Sequence, residues 1–319
     1  MNFLDNHFED YIKSIDKISL HPKITNNFKK FPEHIKKLNN IIFYGPSGTG
    51  KYSQSLACIN KYSNSNLKYE KKLNVISNKN NFLLKISDIH FEIDMALLGC
   101  NSKIVWNDIF INIIDVLSAR INKNDIILCK NFHKIHNELL DCFYSYIQKV
   151  NNTINIIFII LTEHISFIPD NILNSFHIIS IPRPSKLSYN NILNKKLDNS
   201  FNVKNIDNIK NILTNTESIK NKTHSFTNKL YGYIINPNNI KFTTFRDLIY
   251  DIFIYDMDIG YILSIVIQKM LYNNNLSQNK IDEIYIDVYS FLHLYNNNYR
   301  PIYHIERFLF NLINKVHGF

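Results

Sequence analysis

The sequence has little glycine, tryptophan or cysteine, and it lacks a long apolar stretch. It contains 7 Gly, 1 Trp and 4 Cys in 319 residues. Its longest apolar runs, such as residues 156–161, fall far short of the roughly 20 residues that cross a bilayer. The N-terminal stretch M-N-F-L-D-N-H-F-E-D has early acidic residues and no apolar segment, which argues against a signal peptide. These absences predict a soluble, intracellular protein that binds no membrane.

The four cysteines, Cys58, Cys100, Cys129 and Cys142, contain no C-x-x-C pair. They lie within or beside apolar runs, so we expect buried free thiols in a reducing compartment. Cys129 lies close in sequence to His133 and His136, but this spacing matches no standard zinc site and lacks a fourth ligand. No metal site is assigned from the sequence.

Acidic residues are outnumbered, with 36 Lys and Arg against 27 Asp and Glu and a formal net charge of +9. A basic chain favours a polyanionic partner over a small acidic substrate. The lysines before the first predicted strand, Lys29, Lys30, Lys36 and Lys37, have two interpretations. They either contact DNA phosphates or form a solvated helix face, and the second interpretation is favoured because basic clusters alone are only a footprint of nucleic-acid binding.

Short β-rich runs alternate with helical patterns in the first half of the chain, which predicts an α/β domain with a parallel sheet. Predicted strands cover residues 41–44, 82–86, 91–93, 125–128, 154–161 and 178–181, and predicted helices cover 51–62, 105–119 and 137–150. After the P-R-P at 182–184 the pattern is helical, over 186–197, 206–213, 245–255, 259–271, 281–295 and 302–316. The sequence thus predicts an α/β domain at 1–182, a small helical domain at 183–240 and a C-terminal helical domain at 241–319.

A glycine-rich segment, G-P-S-G-T-G-K, follows the first predicted strand and precedes a predicted helix. In this context the segment indicates a phosphate-binding loop, whose backbone N–H groups and lysine hold phosphates at a helix N-terminus. The candidate nucleotide-binding residues are Gly45, Pro46, Ser47, Gly48, Thr49, Gly50, Lys51, Tyr52, Ser53 and Thr162. Tyr52 stands where the motif requires the Ser or Thr that binds Mg²⁺.

Hydrolysis also needs a carboxylate at the end of another strand. The expected strand reads D-I-I-L-C-K-N, and Cys129 and Lys130 stand where acidic residues belong. A lysine cannot hold Mg²⁺, and the phenol of Tyr52 is too long to replace a serine hydroxyl. We therefore assign no catalytic residue and expect no hydrolysis by this chain.

The order of these elements resembles the AAA+ small subunits of replication factor C, the clamp loader. The segments H-F-E-I-D-M-A-L-L-G-C-N-S-K and I-S-I-P-R-P-S are similar to motifs of that family, and the loop is most similar to that of the catalytically silent subunit at the end of the ring. The resemblance implies an AAA+ core at 1–182, a helical lid at 183–240 and an all-α collar at 241–319. It also implies that Thr162 takes the sensor position, and that the arginine finger expected near 173–176 is missing.

The same resemblance implies a subunit that helps load a sliding clamp during DNA replication. Its partners would be other AAA+ clamp-loader subunits in a heteromeric ring, the sliding clamp and primer–template DNA. ATP or ADP would be a structural ligand, whereas Mg²⁺ stays open. The divergence suggests a viral or otherwise fast-evolving relative, such as one from a large DNA virus, located in the nucleus or at a viral replication site.

Two other interpretations stay open from the sequence. The chain could be an active P-loop ATPase acting on DNA, with Asp88, Asp94, Asp115 or Glu163 supplying the missing carboxylates. It could also be a stand-alone DNA-binding adaptor that keeps the loop only as part of its fold.

Overall fold

The computed structural model describes residues 7–17, 19–77, 80–99, 101–148, 154–193, 222–255, 257–273, 277–295 and 300–318. The strands are β1 (Asn40–Tyr44), β2 (Lys71–Ser77), β3 (Asn80–Ile86), β4 (His90–Asp94), β5 (Asn124–Lys130), β6 (Asn155–Thr162) and β7 (Phe176–Ser180). The helices of the first part are α1 (Phe8–Lys17), α2 (Pro22–Phe28), α3 (Lys51–Asn60), α4 (Ser102–Ala119), α5 (Asn137–Gln148), α6 (Asp170–Leu173) and α7 (Lys186–Leu193). Later helices are α8 (Lys222–Ile235), α9 (Phe242–Ile254), α10 (Ile259–Asn273), α11 (Gln278–Tyr295) and α12 (Pro301–His317).

The seven strands form one sheet in the order β2-β3-β4-β5-β6-β1-β7. Five of them, from β4 to β7 in that order, run parallel, and the hairpin of β2 and β3 continues the sheet in antiparallel pairing. The strand before the glycine-rich loop, β1, lies between β6 and β7. The carboxyl ends of β1, β5 and β6 therefore meet at one edge of the sheet, where ligands bind in open parallel sheets.

Helices cover both faces of the parallel strands, and each face has its own apolar core. On one face, β5 and β6 contribute Ile127, Cys129 and Phe158 to a core that includes Trp106 of α4 and Phe143 of α5. The other face packs against α1, α2 and α3. Strands buried on both sides require continuous apolar runs, and β6, N-I-I-F-I-I-L-T, is buried at seven of its eight positions.

The chain divides into two compact units, Met1–Asn215 and Thr216–Phe319. In the second unit, α8 to α12 pack around an apolar core built largely from Ile, Leu and Phe. The Arg246 guanidinium on α9 makes two bonds to the Glu306 carboxylate on α12, at 2.5 and 2.8 Å. The three-domain division with boundaries at 183 and 241 stays a prediction.

The predicted α/β class, the six predicted strands and the C-terminal helices are confirmed, with ends that shift by one to a few residues. Strand β2 and helices α1, α2, α6 and α8 were not predicted. The sheet is not wholly parallel because β2 and β3 run antiparallel. The helix predicted at 206–213 lies outside the described residues, as does Cys100. Cys58 and Cys129 are buried free thiols as predicted, whereas Cys142 is partly exposed. Among the helices in the described part of the chain, none has the length and hydrophobicity of a membrane-spanning segment.

Candidate nucleotide site

The glycine-rich loop connects β1 directly to the N-terminus of α3. Gly45 has no room for a side chain, because a Cβ there would lie 2.1 Å from the carbonyl oxygen of Ile181. Gly48 and Gly50 have positive φ angles of 68° and 90°, a conformation that glycine adopts without steric cost. The loop therefore has the close backbone approach and the left-handed turns that a phosphate cradle needs.

Lys51 is the first residue of α3, and its ammonium points back into the loop. Its Nζ donates to the carbonyl oxygens of Gly45 and Pro46, both at 2.7 Å, and lies 4.0 Å from a carboxylate oxygen of Glu163. Burial lowers the pKa of Lys51, the Glu163 carboxylate opposes that shift, and the Arg183 charge adds to it. The lysine is thus held inside the loop, where the N–H groups of the first turn of α3 and the helix dipole favour an anion.

Two hydrogen bonds fix the far side of the loop. The hydroxyl of Thr49 donates to the carbonyl of Pro46 at 2.9 Å, and the ring of His21 is bonded to the carbonyl of Thr49 at 2.8 Å. Thr49 is buried, and burial lowers the pKa of His21. His21 precedes α2, so this N-terminal segment holds the loop through a contact that the sequence did not predict.

The Tyr52 side chain is half-buried and bonds to a carboxylate of the neighbouring strand β4. Its hydroxyl donates to Oε2 of Glu92 at 2.6 Å, and Nζ of Lys130 contacts Oε1 of the same carboxylate at 2.7 Å. Nζ of Lys130 also lies 5.1 Å from the centroid of the Tyr52 ring. Burial, followed by the Glu92 charge, raises the pKa of the Tyr52 phenol, which therefore stays protonated. We call these three side chains the Tyr52–Glu92–Lys130 cluster.

The structure separates the two residues that replace the expected acids at the end of β5. Lys130 lies on the face of the sheet that carries α3, whereas Cys129 belongs to the opposite core and is fully buried. Burial raises the pKa of the Cys129 thiol, so it is no ready thiolate ligand. Lys130, rather than Cys129, therefore lies beside Tyr52, the residue that follows Lys51.

The cluster does not fit a magnesium ion. Mg²⁺ requires oxygen ligands in near-octahedral geometry, but the Tyr52 oxygen donates its proton to Glu92 and the second oxygen of Glu92 is occupied by an ammonium. Asp94, at the end of β4, accepts two bonds from Asn131 at 2.9 and 3.0 Å. Within the part of the chain that the structure describes, no group of three His, Cys, Asp or Glu side chains could hold a metal ion.

The four carboxylates considered for an active enzyme lie in different places. Asp88 precedes β4, so it lies at the amino end of the strands, and it accepts bonds from Ser63 and from the Ser65 backbone. Asp115 is exposed near the end of α4. Because the loop lies at the carboxyl ends, these two are not brought to the site. Asp94 shares the carboxyl edge of the sheet but bonds to Asn131, whereas Glu163 contacts Lys51 of the loop.

Glu163 follows β6 and lies beside a small group of histidines. Its backbone N–H contacts Nδ1 of His133 at 3.4 Å, and the rings of His133 and His164 are 6.3 Å apart. Burial lowers the pKa of His133, and the Glu163 charge opposes this shift. Glu163 is thus the carboxylate that the structure places next to Lys51.

The remaining predicted residues are distributed around the loop. Ser47 is partly buried in the turn and Ser53 lies in the first turn of α3. Thr162 is fully buried at the end of β6, where its hydroxyl donates to the His164 carbonyl at 2.6 Å. Its carbonyl accepts from the Gly45 N–H at 3.3 Å, so Thr162 is tied to the loop through its backbone.

The basic residues of the N-terminal part are separate from the loop contacts described above. Lys29 and Lys30 follow α2, and Lys36 and Lys37 lie in a short 3-10 turn before β1. All four side chains are exposed, which fits both a solvated face and a phosphate contact.

Comparison with known proteins found no matching family model and no matching curated protein. Among solved structures, C. elegans PCH-2 is similar at 12% identity over 58% of this chain and 48% of that chain, with a TM-score of 0.36. The Thermotoga maritima RuvB Holliday junction branch migration motor is similar at 12% identity over 59% of this chain and 52% of that chain, with a TM-score of 0.34. The chain thus spans about half the length of these two proteins.

Proposed function

We propose that this chain is a nucleotide-binding, non-hydrolysing AAA+ subunit of a clamp loader of the replication factor C type. The loop geometry, with Lys51 inside a backbone cradle between β1 and α3, supports binding of ATP or ADP. The position of β1 between β6 and β7, and the separate helical unit that follows, agree with the AAA+ resemblance of the sequence.

The observation that carries the loss of hydrolysis is the Tyr52–Glu92–Lys130 cluster. Phosphoryl transfer in P-loop enzymes depends on a metal ion held by a loop hydroxyl and a strand-end carboxylate. In this chain a phenol and an ammonium take these places and share one buried carboxylate. The chain would then bind nucleotide as a structural ligand while sibling subunits hydrolyse ATP.

Its proposed role is to hold one position of a heteromeric ring that binds the sliding clamp and primer–template DNA. The net charge of +9 supports a polyanionic partner. The exposed lysines Lys29, Lys30, Lys36 and Lys37 are candidates for phosphate contacts. An exposed position in the C-terminal unit, such as Tyr285 or Tyr289 of α11, is a candidate for contact with neighbouring subunits.

A nucleotide-binding and ATPase experiment tests the site. Purified protein is titrated with mant-ADP, and ATP turnover is measured with and without primer–template DNA. We expect binding that Lys51→Ala weakens at least about tenfold, since a charge-assisted contact to phosphate contributes about 1.5–3 kcal/mol. Lys68→Ala is the matched control, because Lys68 is exposed in the loop after α3. Turnover that depends on Lys51 contradicts the proposal.

A reconstitution experiment tests the assembly. The chain is co-expressed with AAA+ clamp-loader subunits and the clamp from the same genome, and the complexes are separated by size-exclusion chromatography. Elution of the chain in a complex with both supports the proposal. Elution alone at the mass of a monomer contradicts it and favours the stand-alone DNA-binding adaptor.

A second candidate, an active ATPase, is favoured by one observation. A carboxylate oxygen of Glu163 lies 4.0 Å from Nζ of Lys51, and the Glu163 backbone N–H contacts His133. Glu163 is therefore an acid in contact with the loop lysine. If the turnover assay detects hydrolysis, Glu163→Gln should abolish it while mant-ADP still binds. If Glu163→Gln leaves that turnover intact, Glu163 is not its base.

A further inference from the structure

Lys130 brings a fixed positive charge to the place where a P-loop protein holds its metal ion. It lies at the carboxyl end of β5, on the α3 face of the sheet, and its Nζ is 5.1 Å from the centroid of the Tyr52 ring. Tyr52 itself directly follows Lys51, whose ammonium fills the loop. The chain therefore carries its own cation beside the residue at the metal-ligand position.

Both carboxylate oxygens of Glu92 are bonded within the cluster, and a neighbouring side chain packs against the Tyr52 ring. The Glu92 side chain is 3% exposed and receives one bond from Tyr52 and one from Lys130. Tyr11 of α1 packs edge-on against the Tyr52 ring, with centroids 4.9 Å apart. Because Glu92 is buried and doubly bonded, releasing Lys130 to admit a metal ion would leave a buried carboxylate with one partner fewer.

We infer that this site binds nucleoside diphosphates and triphosphates without a divalent metal ion, and that the Lys130 ammonium takes the place of that ion. The inference rests on the proposed nucleotide-binding function and goes beyond it by naming the form of the ligand. The cluster offers Mg²⁺ no free oxygen ligand, because the Tyr52 hydroxyl and both oxygens of Glu92 are already bonded to one another or to the Lys130 ammonium. A metal-free polyphosphate meets Lys51 and Lys130 instead.

The test is a fluorescence titration of the 319-residue chain with mant-ADP and with mant-ATP, in EDTA and in excess Mg²⁺. We expect each nucleotide to bind at least as tightly in EDTA as in Mg²⁺. Binding that is about tenfold or more tighter in Mg²⁺ overturns the inference but leaves the nucleotide site intact. An absence of binding under both conditions overturns both the inference and the proposed function, so the two failures are distinguishable.

Two substitutions within the cluster give opposite signs if Lys130 acts on the nucleotide. Lys130→Met removes the ammonium and leaves the Glu92 charge near the phosphates, so nucleotide affinity in EDTA should fall about tenfold. Glu92→Gln removes the competing carboxylate and frees Lys130, so affinity in EDTA should rise. Equal weakening by both variants overturns the inference, because a purely structural cluster would respond in the same direction to either change.

The folded state of each variant is checked through Trp106, the single tryptophan, which is fully buried in the same unit. Lys130→Arg provides a variant that keeps the charge. It should retain binding in EDTA, and a loss of binding by a folded Lys130→Arg to the level of Lys130→Met counts against a role for the charge.

Discussion

Replacing Gly45 by alanine should lower the free energy of unfolding by more than the backbone conformation of the loop alone would cost. The added Cβ would lie 2.1 Å from the Ile181 carbonyl oxygen, whereas real Cβ atoms need at least 3.0 Å, so the two segments must separate by about 1 Å. The atom that blocks the Cβ belongs to the backbone, so no side chain can move away to relieve the contact. We expect overpacking to cost about 2 kcal/mol.

That separation also lengthens the hydrogen bond that joins the ends of β1 and β7, in which the Ile181 N–H donates to the Tyr44 carbonyl at 2.8 Å. Loss of this hydrogen bond costs about 1 kcal/mol. Together with overpacking, Gly45→Ala should therefore lower the free energy of unfolding of the first unit by about 3 kcal/mol.

Gly50→Ala is the matched control within the same loop. Gly50 also has a positive φ, of 90°, but its Cβ would enter open space. The control therefore loses stability only through the strain of a left-handed backbone conformation, about 1–2 kcal/mol. Urea unfolding without nucleotide, followed by the fluorescence of Trp106, reports the first unit alone because the chain has a single tryptophan there. If Gly45→Ala costs no more than Gly50→Ala, the contact with Ile181 does not constrain the loop.

Three further predictions concern ion pairs and titration. His90 is fully buried, and burial lowers its pKa to about 3, so as pH falls below 6.5 the unfolded state binds a proton that the folded state does not. This one group should make the protein about 2 kcal/mol less stable at pH 5 than at pH 7. His90→Leu should remove that difference in urea titrations. Burial raises the pKa of Asp125 to about 7, and the Arg120 charge opposes the shift. Arg120→Leu should therefore lower the free energy of unfolding by about 3–5 kcal/mol at pH 8 and by less at pH 5, where Asp125 is protonated. An equal loss of stability at both pH values would contradict this account. In the second unit, Arg246→Leu leaves the buried Glu306 carboxylate without its bidentate partner, so the melting temperature should fall, and Glu306→Gln added to it should recover part of the loss.

The sequence was sufficient for the loop and for the central strands, since both depend on local patterns. A short apolar run before G-P-S-G-T-G-K indicates β1, and continuous apolar runs at β5 and β6 indicate strands that are buried on both faces. Strand β2 was missed because K-K-L-N-V-I-S is largely exposed and its alternation is weak. Its place in the sheet depends on pairing with β3, which local propensity does not encode.

The cluster beside the loop could be predicted only in part. The unusual residues Tyr52 and Lys130 were visible in the sequence, but Glu92, which joins them, lies 40 residues from Tyr52. One signal was available: Glu92 is a charged residue between apolar neighbours in H-F-E-I-D, and a buried carboxylate needs a partner. The sequence did not show that Lys130 is the partner of Glu92, because this follows only from the register that places β4 beside β5.

The edge of the sheet formed by β2 carries charges that affect how this protein behaves at high concentration. Strand β2 forms one edge and presents Lys71 and Lys72 as exposed residues, and Lys72 lies opposite Lys85 of β3. A strand from a second copy that paired there would bring further lysines alongside these charges, which is a known protection of edge strands against aggregation. The hairpin therefore protects the sheet edge from pairing with another copy, and neutralising these lysines should make the chain more prone to aggregate.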